Sequence, residues 1–414
     1  MPVSQPSRPP PLALKLLYIT TWFPHPVDNG SKHRVYHLLR ALGRRHDLTL
    51  LSFAFGPLPP DPDHLLQTCC RRVEIVPHNP FQRGLAWKLR FFLLQPAASR
   101  PVPAMTRRMQ QLLAHTRYDA VIASTTVTAA YALQSQSGAR ILEEHNSHRR
   151  WAAERLHAQT TPMARAQAWL RWQKVRRYEA HLYPRFDLCT AVSEADQQAM
   201  LAAFPGRQGP VEMVANGVDC DHNRPGLAWP ASQSLVYSGA LSYHANYDAM
   251  CFFLADILPL LRREAPAVRL TITGAYDGVD LGGLALDDSV RLSGYVEDVR
   301  PLIAGAAVCI VPLRHGGGTR LKILEAMALG TPVVSTSKGA EGLDVRAGEH
   351  LLIADEPADF ARATLRLLHD ESLRRQLSQN ARRLVEERYD WRALGERFCA
   401  LVEGAAERAR RRML

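Results

Sequence analysis

The stretch VCIVPLRHGGGTRLKILEAMALGTPVVSTSKGAEGL, residues 308–343, contains the clearest fold signal in the chain. Its first four residues, 308–311, form a short apolar run closed by a proline, which is typical of a parallel strand covered on both faces. A glycine-rich turn, a helix predicted over 320–329 and a second apolar run at 333–335 follow. This order predicts a βαβ unit of a doubly wound α/β sheet.

The glycine-rich turn is a candidate anion site, because glycines let the backbone approach a ligand closely and a hydroxyl side chain can cap the helix that follows. The residues concerned are Gly316, Gly317, Gly318 and Thr319. The free N–H groups and the dipole at a helix start favour an anion such as phosphate. Arg320 and Lys322 add positive charge at the same place.

Glu325, in the predicted helix, is the only carboxylate among residues 308–340. An acid at this position can bind the two hydroxyls of a ribose. The alternative is an ordinary βαβ unit whose glycines only make turns, and a short glycine pattern alone does not decide between the two.

Composition narrows the class of protein. The length of 414 residues is enough for two domains. The hydrophobic content of 46% and the charged content of 22% are typical of a soluble globular protein. No apolar run approaches the ~20 residues that span a bilayer, and the first residues lack a signal-peptide layout, so we expect a cytoplasmic protein. The seven cysteines are scattered without a C-x-x-C pair, which favours reduced thiols over zinc or disulfides.

The positive charge is unevenly placed. Residues 1–205 contain 26 Lys and Arg against 13 Asp and Glu, whereas the remainder contains 25 against 27. A basic half suggests a phosphate-rich partner, either nucleic acid or an anionic membrane surface. Residues 81–94 (FQRGLAWKLRFFLL) and the basic, Trp-containing helical region 147–186 fit a membrane surface. The alternative is a core helix with solvated arginines for the first and a solvated helix face for the second. The chain has no recognisable nucleic-acid motif.

Both halves of the chain alternate strands and helices, which predicts two doubly wound domains. We place the first domain at 1–205 and the second at 206–389, with an interdomain linker at 220–233. In the first domain Gly30, in Asn-Gly-Ser at a helix start, is a second candidate anion site, the alternative being a plain turn. His145 ends a strand predicted over 140–144, where α/β sheets face their ligands; a lone histidine is as often structural.

Several segments, taken in order, resemble the GT-B glycosyltransferases, and in particular the family-4, "group 1" branch with a GGGTRLK variant. They are AVSEAD (191–196), NGVD (216–219), LVYSGALSYHANYDA (235–249), LEAMALGTPVVST (324–336) and KGAEGL (338–343).

The resemblance implies two Rossmann-like domains facing across a cleft. The second would bind a UDP- or GDP-sugar and the first a glycan or lipid-linked acceptor, for polysaccharide or cell-envelope biosynthesis. It also implies retaining transfer without metal or other cofactor. The basic first half and residues 81–94 suggest a place at the inner face of the plasma membrane. The helix at 390–414 would pack back on the first domain. Alternatives are a nucleotide-sugar epimerase or phosphorylase on the same fold, or a non-catalytic nucleotide-sugar sensor.

Carried over residue by residue, the resemblance assigns roles to three residues. Glu325 matches the second Glu of the branch's E-x7-E motif, which holds ribose hydroxyls. Gly30 matches a glycine loop near the donor phosphates, and His145 matches a strand-end histidine facing the transferred sugar, where we predict a catalytic role. Glu341, in the next glycine turn, is also predicted to bind the donor.

Two departures from the branch matter. The first Glu of E-x7-E falls at Gly317, and SGALSYHANYDA lacks the Arg and Lys that usually follow the second domain's first strand. Because those cations normally neutralise the leaving diphosphate, we predict that Arg320 and Lys322 have taken over this catalytic role. The D-x-D strings at 61–63 and 219–221 lie in a proline loop and at the linker, so no metal site is predicted.

Overall fold

The computed structural model of the chain describes residues 13–56, 60–82, 101–136, 138–207, 209–316 and 320–413. These residues form two compact units. Unit 1 comprises the chain up to Ala191, then Asp196–Met213 and the chain from Gly395. Unit 2 comprises Val192–Ala195 and Val214–Leu394.

Unit 1 contains a sheet of seven parallel strands in the order β3-β2-β1-β4-β5-β6-β7. The strands are β1 (Lys15–Thr20), β2 (Asp47–Ala54), β3 (Arg72–Pro77), β4 (Ala120–Ser124), β5 (Ala139–Glu143), β6 (Leu188–Ala191) and β7 (Val211–Met213). Every residue of β4 and β6 is buried, as expected for parallel strands covered on both faces.

The helices of unit 1 that precede unit 2 surround this sheet. They are α1 (Gly30–Gly43), α2 (Pro62–Thr68), α3 (Pro103–His115), α4 (Ala129–Ala132), α5 (His148–His157), α6 (Pro162–Leu182) and α7 (Glu194–Leu201). The helix predicted over 125–136 is wrong in extent, since only the four residues of α4 are helical. The Thr128 hydroxyl donates to the Ser124 carbonyl at 2.8 Å, and such local side-chain bonds compete with helix formation.

Unit 2 contains six parallel strands in the order β10-β9-β8-β11-β12-β13. They are β8 (Ala231–Ser238), β9 (Arg269–Thr273), β10 (Val290–Gly294), β11 (Ala306–Val311), β12 (Val333–Ser335) and β13 (Leu352–Ile353). Its helices are α8 (His244–Phe252), α9 (Leu258–Glu264), α10 (Arg300–Ala304), α11 (Leu321–Ala328), α12 (Pro357–His369) and α13 (Glu371–Arg388). A π-helical turn, Phe253–Ile257, joins α8 to α9.

The segment predicted as an interdomain linker, residues 220–233, lies inside unit 2. Its polar and proline-rich composition suggested a solvent-exposed linker, but hydrogen bonds from a side chain of α13 hold its backbone in place. The Arg382 guanidinium donates to the carbonyls of Cys220 at 2.9 Å and Asn223 at 2.5 Å. The last residues of the segment form the start of β8.

The final helix, α14 (Trp391–Met413), has its first four residues in unit 2 and the rest in unit 1. Within unit 1, Arg410 donates to Asp119 at 3.0 Å and Arg412 donates to Asp187 at 2.6 Å. A side chain at Gly395 would lie 2.6 Å from the Ala41 Cβ, so α14 packs closely against α1 there.

The described part of the chain has no helix both long enough and apolar enough to cross a membrane. Of the predicted interfacial segment 81–94, residues 83–94 lie outside the described residues. The basic region 147–186 forms α5, α6 and a short 3-10 turn at Tyr183–Arg185. Trp169 and Leu170 on α6 are 47% and 43% exposed.

Candidate active site

In each sheet the first three strands are added towards one edge and the later strands towards the other, so the order changes direction at one point. In unit 2 this point lies between β8 and β11, and in unit 1 between β1 and β4. Open α/β sheets bind their ligands outside the carboxyl ends of the strands at such points. The residues that follow β8 and β11 therefore define the candidate site of unit 2.

The Lys322 ammonium lies at the carboxyl end of β8. Its Nζ donates to the Tyr237 hydroxyl at 2.9 Å and to Asn246 Oδ1 at 3.0 Å, and it lies 4.1 Å from the centroid of the Tyr237 ring. The Tyr237 hydroxyl donates to Asn246 Oδ1 at 2.7 Å, and the Asn246 amide donates to the Ala240 carbonyl at 2.8 Å. A buried tyrosine and an anchored amide thus hold one cation in place.

Gly239, the residue after β8, makes room for this ammonium. A Cβ on Gly239 would lie 2.7 Å from Lys322 Nζ and 2.8 Å from Asn246 Nδ2, and the φ of Gly239 is +154°. Both the lack of a side chain and this backbone conformation favour glycine.

Arg320 occupies the N-cap position of α11 without making a side-chain cap bond. The predicted cap by Thr319 is therefore wrong, because the helix begins at Leu321, one residue later than predicted. The buried Arg320 guanidinium turns back and donates to the Gly316 carbonyl at 2.7 Å. Gly316 has a φ of +101°, a backbone conformation that favours glycine. Gly317, Gly318 and Thr319 lie outside the described residues.

Burial shapes the ionisation of this site. It lowers the pKa of Lys322 to about 7, with the positive charge of Arg320 acting in the same direction and Glu325 acting against it. Burial raises the pKa of Glu325, which Lys322 partly offsets. Among the described residues, no group makes a hydrogen bond or ion pair with the Glu325 carboxylate, three residues further along α11.

Glu341 lies in the turn after β12. Its carboxylate pairs with Lys338 Nζ at 2.6 Å. A Cβ on Gly339 would lie 2.7 Å from the Val311 carbonyl, so this turn packs against the end of β11. The Glu341 carboxylate is therefore already paired with the Lys338 ammonium.

In unit 1, His145 follows β5. Its Nε2 lies 3.0 Å from Ser124 Oγ and 3.0 Å from Glu143 Oε2. Gly30 is the exposed first residue of α1, where the Asn29 side chain accepts a hydrogen bond from the Lys32 N–H at 3.1 Å. Both residues lie at the carboxyl edge of the unit 1 sheet, as their positions after β5 and β1 require.

The structure groups Gly316, Arg320, Lys322 and Glu325 at one edge of unit 2, and it places His145 and Gly30 in unit 1. Sequence reasoning missed Tyr237 and Asn246, which hold the cation, and Ser124 and Glu143, which contact the histidine. It also missed Arg34, which donates to Glu143. Strand alternation offered one usable signal, since Glu143 precedes His145 by two residues.

The two D-x-D strings have local structural roles. Asp61 caps α2 by accepting from the His64 N–H at 3.1 Å, and Asp219 Oδ1 accepts from the backbone N–H groups of Asp221 and His222. Within the described ranges, no three His, Cys, Asp or Glu side chains are grouped so that they would hold a metal ion.

Comparison with known protein families agrees with this architecture. The family model described as Glycosyl transferases group 1 matches residues 232–370, and the model described as Glycosyltransferase Family 4 matches residues 28–222. Together they take in most of both units. The chain belongs to the group 1 glycosyltransferases, a family of transferase enzymes with the GT-B fold.

Individual relatives are more distant. The chain is 28% identical over 165 residues to an uncharacterized 44.6 kDa protein in the cps region of Klebsiella pneumoniae, covering 38% of this chain and 42% of that one. It is 32% identical over 205 residues to the phosphatidyl-myo-inositol mannosyltransferase of Mycobacterium leprae, covering 47% and 53%. The chain therefore spans about half the length of these curated relatives.

Among solved structures, Anabaena HepE in complex with UDP and glucose is similar in fold. The TM-score is 0.64 at 18% identity, and the alignment covers 94% of this chain and 98% of that one.

The buried ammonium predicts a pH dependence of stability. The folded-state pKa of Lys322, about 7, lies below its usual 10.5, so between pH 7 and 10.5 the unfolded chain binds the extra proton and stability rises with pH. We expect the melting temperature of the wild type, relative to Lys322→Met, to increase from pH 7 to pH 10 and to stay level below pH 7. Scanning calorimetry across this range, with the exposed Lys15→Met as control, measures the difference. Parallel curves for wild type and Lys322→Met would contradict the assignment.

Proposed function

We propose that the protein is a retaining glycosyltransferase that moves a sugar from a UDP- or GDP-sugar to a glycan or lipid-linked acceptor in polysaccharide or cell-envelope biosynthesis. The observation that carries this proposal is the position of Lys322 Nζ, against Gly239 at the end of β8. Relatives of this branch, by the resemblance described above, carry their diphosphate-binding cations just after this strand. A lysine from α11 here reaches the same place.

The chemistry of donor activation requires positive charge on the leaving diphosphate. In this proposal Lys322 and Arg320 supply it, together with the backbone N–H groups at the start of α11. Because its pKa is about 7, the Lys322 side-chain amine readily takes up a proton when an anion binds beside it. Glu325, whose carboxylate has no bonded partner among the described residues, is the acceptor for the ribose hydroxyls.

The relatives support the substrate classes. The Mycobacterium leprae relative is a phosphatidyl-myo-inositol mannosyltransferase, and the Anabaena structure contains UDP and glucose. The Klebsiella relative is located in a cps region. These names favour a nucleotide-sugar donor and an envelope acceptor, with unit 2 binding the donor and unit 1 the acceptor.

Removing the two cations should abolish most turnover. We expect Arg320→Ala and Lys322→Ala each to lower kcat/KM by about 100- to 1,000-fold, because each removes positive charge that is worth most in the transition state. A thermal-shift panel of UDP-, GDP-, ADP- and dTDP-sugars selects the donor, and release of the nucleoside diphosphate measures turnover. Arg383→Ala, an exposed charge deletion on α13, is the matched control. Near-normal turnover in both site variants would refute the proposed roles.

Metal independence follows if these side chains carry the leaving-group charge. We expect undiminished turnover in excess EDTA, measured after the enzyme has been dialysed against the chelator. Loss of activity that returns with added Mg²⁺ or Mn²⁺ would show that a cation, rather than Arg320 and Lys322, neutralises the diphosphate.

A membrane surface is the partner that the exposed face of α6 suits best. Trp169 and Leu170 are exposed beside Arg165 and Arg171 on a 21-residue helix that buries only two of its residues. Aromatic and basic residues together favour the interface of an anionic bilayer. We therefore propose peripheral association through α6, at the inner face of the plasma membrane, where a lipid-linked acceptor would be presented.

Vesicle sedimentation tests this association. We expect co-sedimentation with anionic phospholipid vesicles at low salt, release at high salt and no binding to neutral vesicles, because the attraction is electrostatic. Trp169→Ser should weaken binding, whereas Trp229→Ser, which alters a 95% exposed tryptophan of unit 2, should not. A wild-type protein that stays in the supernatant with anionic vesicles at low salt rules out the membrane surface.

A further inference from the structure

We propose that Glu143 is a positioning residue that fixes the ring orientation and the tautomer of His145 and ties this histidine to helix α1. The inference rests on the proposed function only for its expected effect on turnover. The orientation and the tautomer follow from contacts within unit 1.

The Glu143 carboxylate is fully buried, and every group around it is a donor. Arg34 Nε donates to Oε1 at 2.5 Å, and the Tyr18 hydroxyl donates to Oε2 at 3.0 Å. His145 Nε2 also lies 3.0 Å from Oε2. Burial alone would raise the pKa of Glu143, but His145 and Arg34 outweigh it and hold this pKa far below its usual range. The carboxylate is therefore ionised and accepts on both oxygens.

An ionised carboxylate can only accept, so the shared proton must lie on His145 Nε2. Ser124 Oγ, also 3.0 Å from Nε2, lies beside the same N–H. The neutral imidazole then has its lone pair on Nδ1. That nitrogen is buried and has no hydrogen-bond partner among the described residues. A buried polar atom that lacks a partner calls for a functional explanation, and here Nδ1 is the atom left to accept from a sugar hydroxyl.

The same carboxylate also holds α1. Arg34 lies one turn after Gly30, the first residue of this helix, and the Arg34 side chain is almost fully buried. One charged group therefore connects the two unit 1 elements that the family resemblance relates to the donor, the start of α1 and His145. A shift of the carboxylate would move both.

The charges that face His145 are few. From β5 there is Glu143, from α1 there is Arg34, and from α5 there is His148, whose pKa is lowered to about 4, chiefly by burial. Tyr18 on β1 keeps its proton, because burial and Glu143 raise its pKa well above the usual value. Near neutral pH, the described ionised groups that act on His145 are thus Glu143 and Arg34.

The next residue supplies a matched control. Glu144 is as deeply buried as Glu143, but its pKa is raised well above the usual value by burial and by Glu179. Strand alternation directs it to the other face of the sheet. A protonated carboxyl resembles a carboxamide, so Glu144→Gln changes a buried glutamate without altering the charge that faces His145.

The ring nitrogens can be observed directly. In long-range ¹H–¹⁵N spectra of ¹⁵N-histidine-labelled protein, with His145 assigned by its absence in His145→Ala, we expect a protonated Nε2 and an unprotonated Nδ1. Glu143→Gln should redistribute the proton between the two nitrogens and shift both ¹⁵N resonances. Glu144→Gln should leave both unchanged, and Glu143→Asp should restore the wild-type tautomer. A protonated Nδ1 in the wild type, or shifts that Glu143→Gln does not alter, would overturn the proposal.

Turnover provides the second readout. We expect Glu143→Gln to lower kcat/KM by about 10- to 100-fold, by analogy with carboxylates that orient metal-ligating histidines, and to displace the pH profile. Should this variant not fold, Tyr18→Phe and Ser124→Ala each remove one neutral contact of the same network and should shift the His145 resonances. A wild type with the expected spectrum and no sugar transfer would refute the proposed function and leave the positioning role intact.

Discussion

Burying an ammonium group is the constraint around which the unit 2 site is arranged. Lys322 is half-buried, so its ammonium group needs acceptors and a polarisable ring held in place around it. Tyr237, the second-last residue of β8, supplies a hydroxyl and a ring, and Asn246 supplies an amide oxygen from the start of α8. Gly239 leaves the space. Two consecutive elements, β8 and α8, therefore meet a third, α11, that lies about 70 residues further along the chain, and all three contact a single nitrogen atom.

In unit 1 the buried charge is an anion, the carboxylate of a glutamate. Glu143 is surrounded by donors from β1, α1 and the end of β5, as Lys322 is surrounded by acceptors. In both units one charge at the point where strand order reverses collects side chains from several elements. Breaking such a charge network leaves the remaining partners buried without compensation, which is why these positions tolerate little change.

The sequence predicted the regular parts of the fold well. Apolar runs of four to six residues marked the strands, and caps and prolines marked α12 and α13, whose bounds agree with the structure. It failed where local composition and tertiary contacts disagree. Residues 220–233 look like a linker, but Arg382 holds their carbonyls, and threonine hydroxyls after β4 cut a predicted helix short. Arg320 and Lys322 were found from the motif, whereas Tyr237, Asn246 and Glu143 were not, because only the folded chain brings them near.

The path of α14 has a consequence for biosynthesis. Unit 1 contains most of the first half of the chain, yet its Asp119 and Asp187 acquire their arginine partners from residues 410 and 412. Domains usually fold in the order in which the ribosome delivers them. Here unit 2 can fold while unit 1 still lacks most of α14, because unit 2 ends at Leu394. The unit that is synthesised first is therefore completed last. Until Gly395 and the helix around it have been synthesised, the surface of α1 around Ala41 stays uncovered, and this is the interval in which a chaperone would have most to protect.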